Sequence, residues 1–326
     1  MTHRMLCTAF FVLTAAVAAH AADAGAVKLT QQENRITIEI GGQPFGDYYF
    51  GPEGGRAYVR PFLWPVRAAD GTIVTSDQSQ AVPSKPGEKI DHPHHRSLWV
   101  GHGDVNGADH WALKGADTPK QRHDGFDKID GDTLVEKLTW EGKAHDPILA
   151  EQRTLRFFAY PDGARGIDVT SVFTPLDAPV TFGDTKEAGL CSVRVAGPIA
   201  KTSTLTESTG LVSTQPSDEK IVWGKKADWC DISGTIDGKP YGVAILDGPS
   251  NPRHPSNWHV RHYGLLAPNI FGLSAFDKNV PKDAGNLTMT KDKPTTFSYR
   301  VVIHVGDAKA AGLEQKYAEL AGGKGQ

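Results

Sequence analysis

Apolar and polar residues alternate over much of the chain. Ile36, Ile38 and Ile40 are separated by Thr37 and Glu39, and Ile167, Val169, Ser171 and Phe173 by Asp168, Thr170 and Val172. Successive side chains of a strand point to opposite faces, so this period of two predicts strands with one buried face. Similar patterns predict strands over 133–140, 152–160, 190–196, 241–247 and 297–305, the last with Tyr299, Val301, Ile303 and Val305 on one face. Turn residues fall between them: Asp70 with Gly71, Asp130 with Gly131, Pro161-Asp162-Gly163, and Asp237 with Gly238. One helix is predicted, at the end of the chain, with Asp307 as N-cap and Leu313, Tyr317 and Leu320 on one stripe. Many strands with almost no intervening helix exclude a βαβ design and predict an all-β fold of antiparallel sheets, a sandwich or barrel, in a single domain over 22–326. The polar segment 76–90 reads as a long surface loop.

The first 21 residues read as a signal peptide: His3 and Arg4 in a basic start, an apolar stretch, then Ala19-His20-Ala21 as a cleavage site. A periplasmic or secreted protein beginning at Ala22 is expected. Beyond that leader no run of about 18 apolar residues exists, so membrane insertion is not expected. The formal net charge of −3 argues against a nucleic-acid partner. Cys7 leaves with the leader; Cys191 and Cys230 remain, and both a disulfide and two buried thiols fit them. Neither G-x-G-x-x-G after a strand nor a Walker A sequence occurs, so no nucleotide cofactor is expected.

Five of the 13 histidines lie in one string, DHPHHRSLWVGHGDVNGADHW, at 91–111. In an extended segment His92 and His94 share a face and His95 opposes them, and H-x-H spacing suits two ligands of one divalent metal. A cupin pattern is met only loosely, by Gly87, His92 and His94, because Leu98 and Trp99 stand where a Glu is needed. Two other readings stay open: metal-free proton transfer by His95 or His102, and a rigid turn around Pro93 whose rings simply pack. Arg96 can clamp a carboxylate or a hydroxyl array. Asp104 and Asn106, in a Gly-rich loop, either present polar groups to a hydroxylated ligand or stabilise the turns. Trp99 and Trp111 offer an apolar floor for a sugar ring, or belong to the core.

Downstream, Lys186 and Glu187 precede a predicted strand. They form either a solvated pair or, if Glu187 enters a cleft beside a histidine, a base or acid whose pKa burial raises. In the segment 257–264, Trp258, Val260 and His262 face one side and His259, Arg261 and Tyr263 the other; His259 with Arg261 would meet an anionic or polyhydroxyl substrate. Asn269 could return an amide to the same end of the molecule.

The histidine string, with PFLWPVR at 61–67, KEAGLCSVRV at 186–195 and WHVRHYGLLAPNIFG at 258–272, resembles a bacterial family of unknown function labelled methane oxygenase PmoA-like. The resemblance covers nearly all of the mature chain. It implies a secreted or periplasmic β-sandwich of the galactose-mutarotase or supersandwich type, in the company of sugar-catabolic enzymes. The positions that match are His94, His95, Arg96, His102, Asp104, Asn106, Lys186, Glu187, Trp258, His259, Arg261 and Asn269. Ser97, where the resemblance implies Gly, and His262, where it implies Asp, depart from it.

Together these features predict a carbohydrate-active enzyme of the epimerase, mutarotase or lyase type, acting on a sugar or keto-sugar. His95, His102, Glu187 and His259 are the candidate catalytic residues. Candidate substrate contacts are Arg96, Trp99, Asp104, Asn106, Lys186, Trp258, Arg261 and Asn269. Two alternatives remain: a non-catalytic carbohydrate-binding protein stacking its ligand on Trp99 and Trp258, and an oxidase whose metal is held by His92, His94 and His102.

Overall fold

The alternating segments form strands, and every pairing between them is antiparallel. The computed structural model describes residues 25–52, 58–80 and 90–323; the predicted leader and Gly87 lie outside the described residues. Strands β1 (Val27–Gln31), β2 (Arg35–Ile40), β3 (Gln43–Tyr49), β4 (Phe62–Leu63) and β5 (Leu98–His102) build most of a first sheet. Next, β6 (Gln121–Asp130), β7 (Thr133–Glu141), β8 (Pro147–Ala159) and β9 (Arg165–Pro175) run as a meander in a second. After the short β10 (Val180–Phe182), β11 (Ala188–Arg194) returns to the first sheet, and the single turn α1 (Gly197–Lys201) leads out of it. Then β12 (Thr204–Glu207), β13 (Val212–Ser213), β14 (Trp229–Ile236) and β15 (Lys239–Asp247) extend the second sheet. The hairpin β16 (Trp258–Arg261) and β17 (Leu265–Pro268) closes the first, and α2 (Leu273–Phe276) follows. Finally, β18 (Leu287–Met289) pairs with β10, β19 (Thr295–Val305) enters the centre of the second sheet, and α3 (Leu313–Ala321) ends the chain. The sheet orders are β1-β2-β3-β4-β5-β11-β17-β16 and β13-β12-β14-β15-β19-β9-β8-β7-β6, an all-β antiparallel sandwich.

One face of each sheet is apolar and the two faces share a core. Ile36, Ile38, Ile40, Leu98, Val100 and Val260 of the first sheet join Leu155, Phe157, Ile167, Val169, Val301 and Ile303 of the second. Each such side chain taken wholly out of water contributes about 1.5–3 kcal/mol before chain entropy is set against it. Bonded polar groups link the two sheets through the core. Tyr48 of the first sheet donates to Glu136 of the second. Arg153 makes two 2.8 Å bonds to Glu151, which also accepts from the Trp140 indole at 2.7 Å and the Ser171 hydroxyl at 2.6 Å. Cys191 and Cys230 stand free and buried in this core, so two thiols, not a disulfide, are what the fold holds.

Two predicted elements differ from expectation. Asp307 caps a turn, its Oδ1 accepting from Ala310 N at 2.8 Å, and the helix begins only at Leu313, after Gly312 has taken φ 60°. Leu313 is buried against the outer face of the second sheet with Trp229, Leu246 and Val302, and Tyr317 and Leu320 pack beside it. The segment read as a surface loop starts inside the protein: Asp77 is buried, and Ser76 N and Gln78 N donate to the carbonyls of Arg194 and His95, both at 2.9 Å. Residues 81–89 lie outside the described residues.

His102 shares the parity of Leu98 and Val100, so its ring enters the core, 4.8 Å from Phe182 and 4.6 Å from Phe271, with Nε2 donating to Gly183 O at 3.1 Å. His110 packs 4.7 Å from Trp140 and donates to Glu141 O at 2.9 Å. Burial pushes the two imidazoles down to about 3 and about 4.

Because both values are depressed, the folded protein stays unprotonated at these rings while the unfolded chain takes up protons below its ordinary histidine pKa. Stability is therefore complete above pH ~6.5 and falls by about 1.4 kcal/mol per pH unit for each ring down to pH ~4. Urea unfolding at pH 7 and pH 5 should show that loss, and His102→Gln should reduce it by about 2 kcal/mol; an unchanged slope would show that the ring protonates in place. At Ser97, where φ is 68° and the side chain donates to Thr75 Oγ1 at 2.7 Å, Ser97→Gly should change stability by less than about 1 kcal/mol and Ser97→Val should cost about 2 kcal/mol or more, read by the same titration.

Candidate active site

The histidine string begins as a tight turn, not an extended strand. His95 N donates to His92 O at 2.9 Å with Pro93 at the second position, where its fixed φ suits a β-turn. The turn brings to one side the three rings that an extended segment would have split between two faces. His92 and His95 lie parallel, centroids 4.8 Å apart, and His94 stands nearly perpendicular to His95 at 4.6 Å. Tyr263 stacks on His92 at 4.6 Å, and Trp99 stacks on His95 at 5.2 Å.

Two arginines hold the turn. Arg60 is 1% exposed and donates to the carbonyls of His94 and Trp111 at 2.8 Å and of His110 at 2.9 Å, pinning the turn to the segment that carries Trp111. Burial, with the Arg96 charge adding to it, pulls its guanidinium down to about 9. Arg194, at the end of β11, donates to Asp91 Oδ2 at 2.7 Å and to His95 Nδ1 at 3.1 Å. An acceptor at Nδ1 puts the His95 hydrogen on Nε2. The other Asp91 oxygen meets His92 Nδ1, which is buried, so Nε2 is the nitrogen that His92 turns toward solvent. Burial opposes ionisation of Asp91, but Arg194 and His92 bring its carboxyl below the usual range.

Glu187 approaches from the start of β11. Asn269 Nδ2 donates to the carbonyls of Thr185 and Lys186 at 3.0 Å while its Oδ1 accepts from Phe271 N and Gly272 N at 2.8 Å. His259 Nδ1 donates to the same Lys186 carbonyl at 2.7 Å. Gly103 lets this loop close on β5: its N–H donates to Glu187 O at 2.7 Å, and a Cβ there would stand 3.0 Å from that oxygen.

Between the two segments lies a cleft of about 330 Å³, lined chiefly by His92, His94, Asp109, Trp111, Thr185 and Glu187. Lys186 is paired with Glu187 at its rim. Burial pushes the Glu187 carboxyl up, but the Lys186 bond and charge, then His259 and His94, bring it below the usual range. The raised pKa expected on burial is therefore not found, and Glu187 is a carboxylate at neutral pH. Burial, with Arg60 and His92 adding to it, pushes His94 down to about 4, and burial takes His259 to about 4 as well. His95 is pushed further down, again mainly by burial.

Of the predicted residues, His92, His94 and Glu187 line this cleft, and Lys186, His259, Asn269, His95 and Trp99 stand directly around it. Others do not meet it. His102 and Trp258 point into the core from the opposite face of the first sheet, the Trp258 indole donating to Ala227 O at 2.9 Å. Arg96 is buried under the cleft wall, Nε 2.9 Å from Asp77 and guanidinium 3.8 Å from the Phe62 ring centre. Asp104 accepts from Gly107 N at 2.7 Å, and Asn106 bonds Thr181 N at 2.8 Å, so both hold a turn against β10. Arg261 pairs with Glu219 at 3.0 Å and lines a different cavity.

For a metal, the cleft supplies His94 and one nitrogen of His92. Among the described residues no three His, Cys, Asp or Glu side chains are disposed to hold a single ion, and the set His92, His94 and His102 is split across the sheet. Sequence reasoning missed Asp91, Arg60, Arg194 and Asp109. Asp91 and Asp109 sat inside the string that was singled out; an isolated Arg60 and a strand-end Arg194 carry no spacing signal.

Solved structures similar to this chain include a galactose mutarotase related enzyme from Lactobacillus acidophilus, at 9% identity over 85% of this chain and 97% of that one, with a TM-score of 0.36. A galactose mutarotase-like protein from Lactobacillus casei gives 9%, 85% and 100% with a TM-score of 0.38, and one from Clostridium acetobutylicum 12%, 86% and 98% with 0.36. At these values no residue of theirs can be matched to one here. The sequence matches no curated protein. A family model does match, over residues 35–318, and by that match the chain belongs to DUF6807, a family of unknown function.

Proposed function

We propose that the protein is a periplasmic enzyme that moves protons on a small sugar or keto-sugar, with Glu187 as base and His92 as its partner acid. The observation that carries this reading is an ionised carboxylate and two imidazoles, His92 and His94, lining one cleft. Its volume of about 330 Å³ is at the low end of ligand sites, suited to a monosaccharide. Asp109 and Thr185 are at hand for hydroxyls.

Ring opening at an anomeric carbon, or proton removal beside a carbonyl, needs a base and a group that protonates or stabilises the developing oxyanion. Glu187 takes the proton. His92 donates from Nε2, its ring held by Asp91 at Nδ1 as Arg194 holds Asp91. Return of the two protons, on the same or the opposite face of the sugar, completes the turnover without a nucleotide. The non-catalytic alternative loses its proposed stacking surfaces, since Trp99 and Trp258 are each 1% exposed.

With a panel of aldoses and keto-sugars followed by NMR in deuterated water, Glu187→Gln should lower kcat about 10²- to 10⁴-fold and leave substrate Kd nearly unchanged. Unaltered turnover would overturn the assignment. Since Lys186 holds the Glu187 carboxyl down against burial, Lys186→Met should move the acid limb of kcat/KM against pH to higher pH; a limb that stays in place would mean that another group is the base.

A further inference from the structure

Behind Tyr263, the ring that stacks on His92, lies a larger cavity of about 670 Å³, lined among others by Lys201, Ser203, Gln215, Glu219, Arg261 and His262. Ser203 and His262 are each 5% exposed. Ser203 Oγ lies 2.8 Å from His262 Nδ1, His262 Nε2 lies 2.8 Å from Ser213 Oγ, and Ser213 Oγ lies 2.5 Å from Asp218 Oδ1. The His262 backbone is held as well, its N–H donating to Glu219 Oε2 at 2.7 Å, and Glu219 is held in turn by Arg261.

Counting hydrogens settles who donates to whom. The Ser213 bond keeps the Asp218 carboxyl below the usual range, so at neutral pH it only accepts. Ser213 spends its one hydroxyl hydrogen there and must accept from His262 Nε2–H. Burial lowers the His262 pKa, so the ring is neutral and Nδ1 is a bare lone pair. Ser203 is the hydroxyl facing it, with Ala200 O, at 2.9 Å, as a second acceptor for the same hydrogen. A hydroxyl on a base, the base oriented by a further group and a carboxylate behind, is the arrangement that activates a serine nucleophile.

We propose that Ser203 and His262 form a second, acyl-transferring site that takes an O-acyl ester of a polar alcohol. Ser203 Oγ bonds to the acyl carbon as its hydrogen passes to His262 Nδ1. The bond from that carbon to the alcohol oxygen breaks, and the alkoxide takes the hydrogen from Nδ1. Water then attacks the acyl-serine by the same route in reverse, releasing the carboxylic acid and restoring the hydroxyl. The polar lining, Lys201, Gln215 and Arg261 among it, suits a hydroxylated alcohol and a charge developing on the acyl oxygen better than a fatty chain. This site uses no residue of the Glu187 cleft.

The test treats the native protein with a fluorophosphonate probe and with p-nitrophenyl acetate, then locates adducts by peptide mass spectrometry. Expected is a covalent adduct on Ser203, absent in Ser203→Ala and formed at least about 100-fold more slowly in His262→Gln. No adduct on Ser203 of the native protein, under conditions that label a serine esterase, would overturn the proposal whether or not the variants fold. So would a rate of Ser203 labelling unchanged by His262→Gln.

Discussion

Successive side chains of a strand leave by opposite faces, and in the eight-stranded sheet this sends Leu98, Val100 and His102 into the core and Trp99 outward. The same parity sends Trp258 and Val260 inward and Leu266 with them, leaving Leu265 and Ala267 on the outer side. The outer face carries an aromatic layer of Tyr49, Phe62, Trp99 and Trp111, and on this layer the histidine turn rests. A register slip of one residue in β5 would exchange the floor of the cleft for core residues. Both the interior and the site therefore depend on one register, pinned by β4 on one side and β11 on the other.

Around the cleft, three arginines are placed behind the imidazoles. Arg60, Arg96 and Arg194 are all buried, each bonded to a carbonyl, a carboxylate or a ring nitrogen. The charge of Arg60 adds to desolvation in keeping His94 neutral and that of Arg194 in keeping His95 neutral, while the exposed Lys186 keeps Glu187 ionised. Backbone conformation is spent on the same end: His92 at φ 46° and Ser97 at φ 68° bracket the turn, in a region where non-glycine residues are uncommon.

Much of the sandwich was legible along the chain. Strands β2, β7, β8 and β9 each have one apolar face, and period two exposes that directly. Strand β5 is buried at every position, so it shows no alternation, and in β6 two bulges, at His123/Gly125 and Phe126/Lys128, break the pattern. Local chemistry at the end of the chain was misread because Asp307 caps a turn that Gly312 must first complete before the helix can begin.

For the site, residue types alone marked the histidine string, the Lys186–Glu187 pair and the alternation of 258–263. The family resemblance marked Ser97 as a departure from glycine, and the φ of 68° there is one that glycine takes freely. What the chain by itself could not decide was which of these groups meet. His94 and Glu187 are far apart in sequence and share a cleft because β5 and β11 are neighbours in one sheet. His102 lies within the same string and is excluded because its position on β5 has the parity of the core. Spacing records residue type and face; only the packed sheets decide which face is solvent, which is core, and which charges are close enough to set a neighbour's proton.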